Sequence, residues 1–129
     1  TKIISLLSKN IKKSYDVLLA YRPNQRNRPK YRVFLSLAYT RLVNFLFNMN
    51  FKYTNGENAY KTKLLKEIKL KSNGFFFQTE ILFKLTKKYN LNYLEVPIPL
   101  KKVKYKSSAL RIKNIITLIY ELLYFAIFR

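Results

Sequence analysis

The 129-residue chain contains no cysteine and no histidine. Disulfides, zinc sites of the usual kind and imidazole acid–base chemistry are therefore excluded. Carboxylates are nearly as scarce. Asp16, Glu57, Glu67, Glu80, Glu95 and Glu121 are the only six, and no two stand close enough in sequence to form a local metal pair. Glycine occurs twice, as Gly56 and Gly74, each where a turn is expected. Against this scarcity of acid stand 26 lysines and arginines, for a formal charge of +20.

Apolar residues make up 49% of the chain and aromatics 16%, which rules out a disordered polypeptide despite the charge. The length allows one domain with a real core. The bias toward Lys, Asn, Ile, Tyr and Phe matches an AT-rich coding sequence, so part of the lysine excess reflects composition rather than function. Periodicity predicts a helix over 2–13, a strand over 15–21, a basic loop over 22–30 and a helix over 31–48. A short strand or turn follows over 51–56, then a short helix over 60–67, a loop over 68–74 and a helix over 75–88. A strand over 92–98, a basic loop over 101–108 and a helix over 109–128 complete the series. Such alternation is α/β.

The most informative stretch is Ser72–Leu100. Gly74 opens a helix whose apolar positions are Phe75, Phe76, Phe77, Ile81, Leu82, Phe83 and Leu85. Gln78, Glu80, Lys84, Lys87 and Lys88 form its wet face. Residues 90–92 then turn the chain into Tyr93-Leu94-Glu95-Val96-Pro97-Ile98, a strand ended or edged by Pro97 and Pro99.

Gly74-Phe75, Phe77-Gln78-Thr79-Glu80-Ile81 and Leu94-Glu95-Val96-Pro97-Ile98, in that order, resemble the C-terminal half of family-2 glycosyltransferases, and more narrowly the dolichyl- or polyprenyl-phosphate sugar synthases. Upstream, Asp16 through Arg22 is similar to the family's Asp-x-x-x-Gly-x-Arg strand, and Arg28, Arg32, Phe34, Leu35 and Ser36 to its basic turn and following helix. Asn55-Gly56 and Tyr60-Lys61 resemble its Ser-Gly-Phe turn and the Tyr-Arg beyond it, although Tyr53 stands at the family's Asp and Glu57 at its Phe or Leu. The resemblance covers nearly the whole chain. It implies part of a nucleotide-diphospho-sugar transferase (Rossmann-like glycosyltransferase) α/β fold over 1–100, followed over 101–129 by a basic segment and an amphipathic, membrane-associated helix. The activity it implies is inverting sugar transfer from a nucleotide-sugar to a polyprenyl phosphate, peripherally on the cytoplasmic face of a membrane. The family needs Mg or Mn on an Asp-x-Asp-type motif. This sequence has none, so the metal and nucleotide half is expected to be a missing N-terminal portion and the isolated chain to be inactive.

Four segments are candidates for chemistry. Arg22, Arg26, Arg28, Lys30 and Arg32 crowd a loop stiffened by Pro23 and Pro29; forked guanidinium contacts suit a phosphate, and a solvated charge run is the plainer alternative. The resemblance favours Arg22 with either Arg28 or Arg32. Asn55-Gly56 is a turn expected in left-handed geometry, which the resemblance places at the pocket wall. Gln78 and Glu80 are positioning candidates on different helix faces, one expected to face the pocket and the other a structural arginine; Glu80 either positions the acceptor or is a surface carboxylate paired with a lysine. In the last segment the family's Gly-x-Ser-Lys is degraded: aligning Ser107 puts Tyr105 at the Gly and Ser108 at the Lys, leaving Lys106 or Arg111 as electrostatic substitutes near the acceptor phosphate.

The final helix carries Lys113, Thr117 and Glu121 every four residues with Asn114 beside them, and apolar residues cover the rest. Residues 115–128 span roughly 21 Å as a helix, against a hydrocarbon core about 30 Å thick. An in-plane membrane helix with Lys106, Arg111 and Lys113 at the headgroups is therefore favoured over a helix docked on the domain. The alternative function is a small basic nucleic-acid-binding protein, which the charge and interleaved aromatics permit. It is disfavoured because the aromatics fall in apolar runs and no nucleic-acid motif appears.

Overall fold

Val17-Leu18-Leu19-Ala20 is an unbroken apolar run, the pattern of a strand covered on both faces. In a computed structural model, which describes residues 5, 8–9, 15–23, 28–98 and 111–128, this run is the buried central strand of a sheet. The described elements are β1 (Val17–Tyr21), α1 (Lys30–Phe47), β2 (Ala59–Tyr60), α2 (Thr62–Lys66), α3 (Phe77–Lys88), β3 (Tyr93–Pro97) and α4 (Ile112–Ile127). Together they make a mixed α/β fold: a small three-stranded mixed sheet with four helices. Of the helix expected over 2–13, Ser5, Ser8 and Lys9 are described and helical; the basic loop 101–108 lies outside the described residues.

The sheet order is β2-β1-β3. β3 runs parallel to β1 in the register Val17↔Tyr93 to Tyr21↔Pro97, and β2 pairs antiparallel through Val17↔Tyr60 and Leu18↔Ala59. Asp16 ties the starts of β1 and β3 to the end of β2. Its amide donates to Asn92 O at 2.7 Å, its carbonyl accepts from Lys61 N at 3.1 Å, and its carboxylate accepts from Lys61 Nζ at 2.8 Å and Asn92 N at 3.2 Å. The Lys61 ammonium, helped by Asn92, holds the Asp16 carboxyl below the usual carboxylate range.

Of the short strand or turn expected over 51–56, the strand does not form; the short strand lies at 59–60. The reason is Asn44 on α1. Its side-chain amide donates to Phe51 O at 2.8 Å and accepts from Phe51 N at 3.2 Å, satisfying the groups a sheet ladder would have used. α1 ends on Asn48 in the left-handed region (φ 52°), where asparagine is tolerated.

Two apolar clusters fill the interior. Val17, Leu19, Phe51, Ile81, Leu82 and Leu85 join the sheet to α3. Val43, Phe47, Phe76, Phe83 and Leu122 join α1, α3 and α4, with the Phe47 and Phe83 rings 4.9 Å apart and Phe83 edge-on to Phe125 at 5.2 Å. α4 is thus docked on the domain through Leu122, Leu118, Phe125 and Ala126.

Candidate functional site

The parallel strands β1 and β3 end side by side, and Ile98 N donates to Tyr21 O at 2.8 Å just beyond them. The carboxyl ends of parallel strands are where α/β sheets open a crevice for ligands. Arg22 is the first residue past β1. The turn at Asn55-Gly56 meets it there: a Cβ on Gly56 would lie 2.1 Å from Ala20 O, so only glycine lets this turn press against the β1 backbone. Among the described residues Asn48 alone has positive φ, so the expected left-handed geometry at 55–56 is absent; the glycine is demanded by close approach.

That contact brings Glu57 to Arg22, with Oε1 and Nη2 3.4 Å apart. Their side chains are 31% and 59% exposed, so the pair contributes at most about 1 kcal/mol and yields readily to a competing anion. Lys52 reaches the same strand end, its ammonium 4.7 Å above the Tyr21 ring and 3.5 Å from Glu95, while Lys52 N donates to Glu95 Oε1 at 2.6 Å. Nothing in the sequence pattern singled Lys52 out; its place depends on Glu95, 43 residues away. At the start of α1, Arg28 donates to Ser36 Oγ at 3.3 Å, and Arg32 lies half-buried with its Nε enclosed and without a partner among the described residues.

Glu80 sits at the centre of a hydrogen-bonded cluster. It is fully buried and ties down the segment before α3. Its carboxylate accepts from Lys71 N at 2.9 Å, Ser72 N at 2.9 Å, Ser72 Oγ and Lys84 Nζ, and Lys84 in turn donates to Lys69 O. Burial pushes the carboxyl's pKa up, but those hydrogen bonds outweigh it and hold it below the ordinary value. The surface-carboxylate alternative is right about the lysine and wrong about the surface. None of these bonds reaches Arg22, Arg28, Arg32 or the 55–57 turn. Gln78 is half-buried in the first turn of α3. Arg111 is exposed as the N-cap of α4, its carbonyl accepting from Asn114 N at 2.9 Å, and Lys106 lies outside the described residues.

Glu121 was expected on the polar stripe of α4, yet it turns inward. It borders a cavity of about 110 Å³ with Lys71, Ser72, Glu80 and Tyr120, and its Oε2 is enclosed without a partner among the described residues. A Cβ on Gly74 would stand 3.1 Å from that oxygen, so the second glycine also makes room for a close approach. Nearby, Tyr39 shares a 2.8 Å hydrogen bond with Thr79, and burial pushes the Tyr39 phenol up to about 12. The other five carboxylates are each ion-paired: Asp16 with Lys61, Glu57 with Arg22, Glu67 with Lys88, Glu80 with Lys84 and Glu95 with Lys52. Among the described residues no group of three or more metal-ligating side chains occurs.

No family model, curated protein or solved structure matches the chain.

Proposed function

We propose that this chain is the acceptor side of a family-2-like glycosyltransferase of Rossmann-like fold, which transfers a sugar from a nucleotide-sugar to a polyprenyl phosphate at a membrane surface. The observation that supports the reading is the meeting of Arg22 with the Gly56 turn at the carboxyl ends of two parallel strands. Two segments singled out for their resemblance to the same family, and well separated in sequence, press together through a contact only glycine permits. Arg22, with Arg28 or Arg32 from the start of α1, takes the acceptor phosphate through forked hydrogen bonds. The phosphate displaces Glu57, whose exposed pair with Arg22 is weak. An ionised phosphate needs no general base to attack a sugar carbon, so the burial of Glu80 away from these arginines fits the chemistry. The divalent metal and the nucleotide fall to a donor-binding half, because the carboxylates here are separated and nearly all engaged.

The test is a transfer assay with that donor-binding half supplied, titrating polyprenyl phosphate and nucleotide-sugar in turn for Arg22, Arg28 and Arg32 variants. A defect confined to the lipid titration is expected. Near-wild-type rates for all three alanine variants would return these arginines to solvated charge.

A further inference from the structure

α1 has two apolar faces, and the fold uses one of them. Thr40, Val43 and Phe47 turn into the core, while Tyr31, Phe34, Leu35, Ala38, Leu42 and Phe45 recur at helical spacing on the opposite, exposed side. Phe34 and Phe45 are 70% and 85% exposed, far beyond what a packed helix leaves to water. α4, which touches α1, repeats the pattern with Ile112, Ile116, Ile119, Leu123 and Ile127 exposed. Of the exposed large apolar side chains among the described residues, six lie on α1 and eight at 112–128, against four elsewhere, so the apolar surface is concentrated on this helix pair.

The charges on the pair have one sign. Residues 28–48 contain no carboxylate, and the sole carboxylate of α4, Glu121, is turned inward. Lys30 and Arg41 are exposed on α1, as are Arg111 and Lys113 at the start of α4. No described helix is long and apolar enough to cross a membrane, so an apolar face with cationic edges suits a bilayer surface met in the plane.

We infer that α1 is a second membrane-insertion element beside α4, with Phe34 and Phe45 as its anchors in a bilayer of anionic headgroups. The inference rests on the membrane part of the proposal above and is independent of the sugar chemistry.

The chain has no tryptophan, so a single Phe45→Trp or Ile116→Trp change gives a unique fluorophore on either helix. Each full-length variant is mixed with phosphatidylcholine vesicles with and without phosphatidylglycerol. Blue-shifted emission from both sites with the anionic vesicles, and roughly tenfold or greater loss of vesicle partitioning in Phe34→Ser and in Phe45→Ser, is the expected result. A shift at Ile116→Trp alone overturns the inference and leaves α4 as the membrane helix. No shift at either site overturns the membrane reading as well. Equal shifts with phosphatidylcholine alone remove the anionic preference. Emission from Phe45→Trp that is already blue-shifted without vesicles, in a chain that sediments as a dimer, assigns the α1 face to a second copy instead.

Discussion

Replacing Glu80 separates a structural carboxylate from one that serves a substrate. The side chain is fully buried and gathers the amides of Lys71 and Ser72, the Ser72 hydroxyl and the Lys84 ammonium onto one carboxylate. In Glu80→Gln the charge is lost and the new amide NH₂ must face at least one of these donors. Breaking a buried, hydrogen-bonded ion pair by changing one partner costs about 3–5 kcal/mol. Against the roughly 5–15 kcal/mol of a typical domain, that is a large fraction of the total stability. Equilibrium urea unfolding should show the loss as a lower midpoint at unchanged slope, and the melting temperature should fall by roughly 10–20 °C. Because the folded-state pKa of Glu80 is depressed, its stabilisation is fully present above the ordinary carboxylate value of about 4.3 and fades as pH falls through the lower folded value. The gap between wild type and Glu80→Gln should therefore narrow on acidification. A Glu80→Gln chain within about 0.5 kcal/mol of wild type at neutral pH would refute the clamp.

Gly56→Ala should cost roughly 3 kcal/mol, since its Cβ meets the Ala20 carbonyl rather than a side chain that can move; the denaturation midpoint reads this directly. Alkaline pH should destabilise the fold beyond the general loss of lysine charge. Burial raises the Tyr39 and Tyr60 phenols to about 12, so an unfolded chain that ionises them near 10 is favoured progressively between those values, and tyrosinate absorbance should show two late-titrating groups that appear together with unfolding. With a donor half supplied, Arg22→Lys should lower transfer almost as much as Arg22→Ala, by about ten- to a hundredfold, because an ammonium cannot reproduce a forked contact. A lysine that restores the rate would point to charge alone.

The long, strongly patterned elements were legible in the sequence. α3 and β3 follow from the apolar spacing after Gly74 and from a strand pattern that closes on Pro97, and β1 from its unbroken apolar run. What was not legible was decided by partners elsewhere in the chain. Between the strand and the turn left open over 51–56, the strand does not form, and Asn44 holds the Phe51 backbone groups. Both glycines stand in turns as read, but the sequence did not show what approaches them: the Ala20 carbonyl, which leaves no room for a Cβ at Gly56, and the Glu121 carboxylate, 3.1 Å from where a Cβ on Gly74 would stand. α1 read only as a helix over 31–48, because two apolar faces blur into one pattern until a core takes one of them. At the candidate site, Arg22 and the Asn55-Gly56 turn were legible separately. Their meeting, and the arrival of Lys52, came only with the fold.

The most direct test of the acceptor-side assignment is binding of polyprenyl phosphate, compared with the uncharged polyprenol of the same length, to the chain in phosphatidylcholine nanodiscs. Phosphate-dependent binding that falls by about tenfold or more in Arg22→Ala is the predicted result. Equal affinity for the phosphate and the alcohol, or phosphate-dependent binding that Arg22→Ala, Arg28→Ala and Arg32→Ala all leave intact, would contradict it.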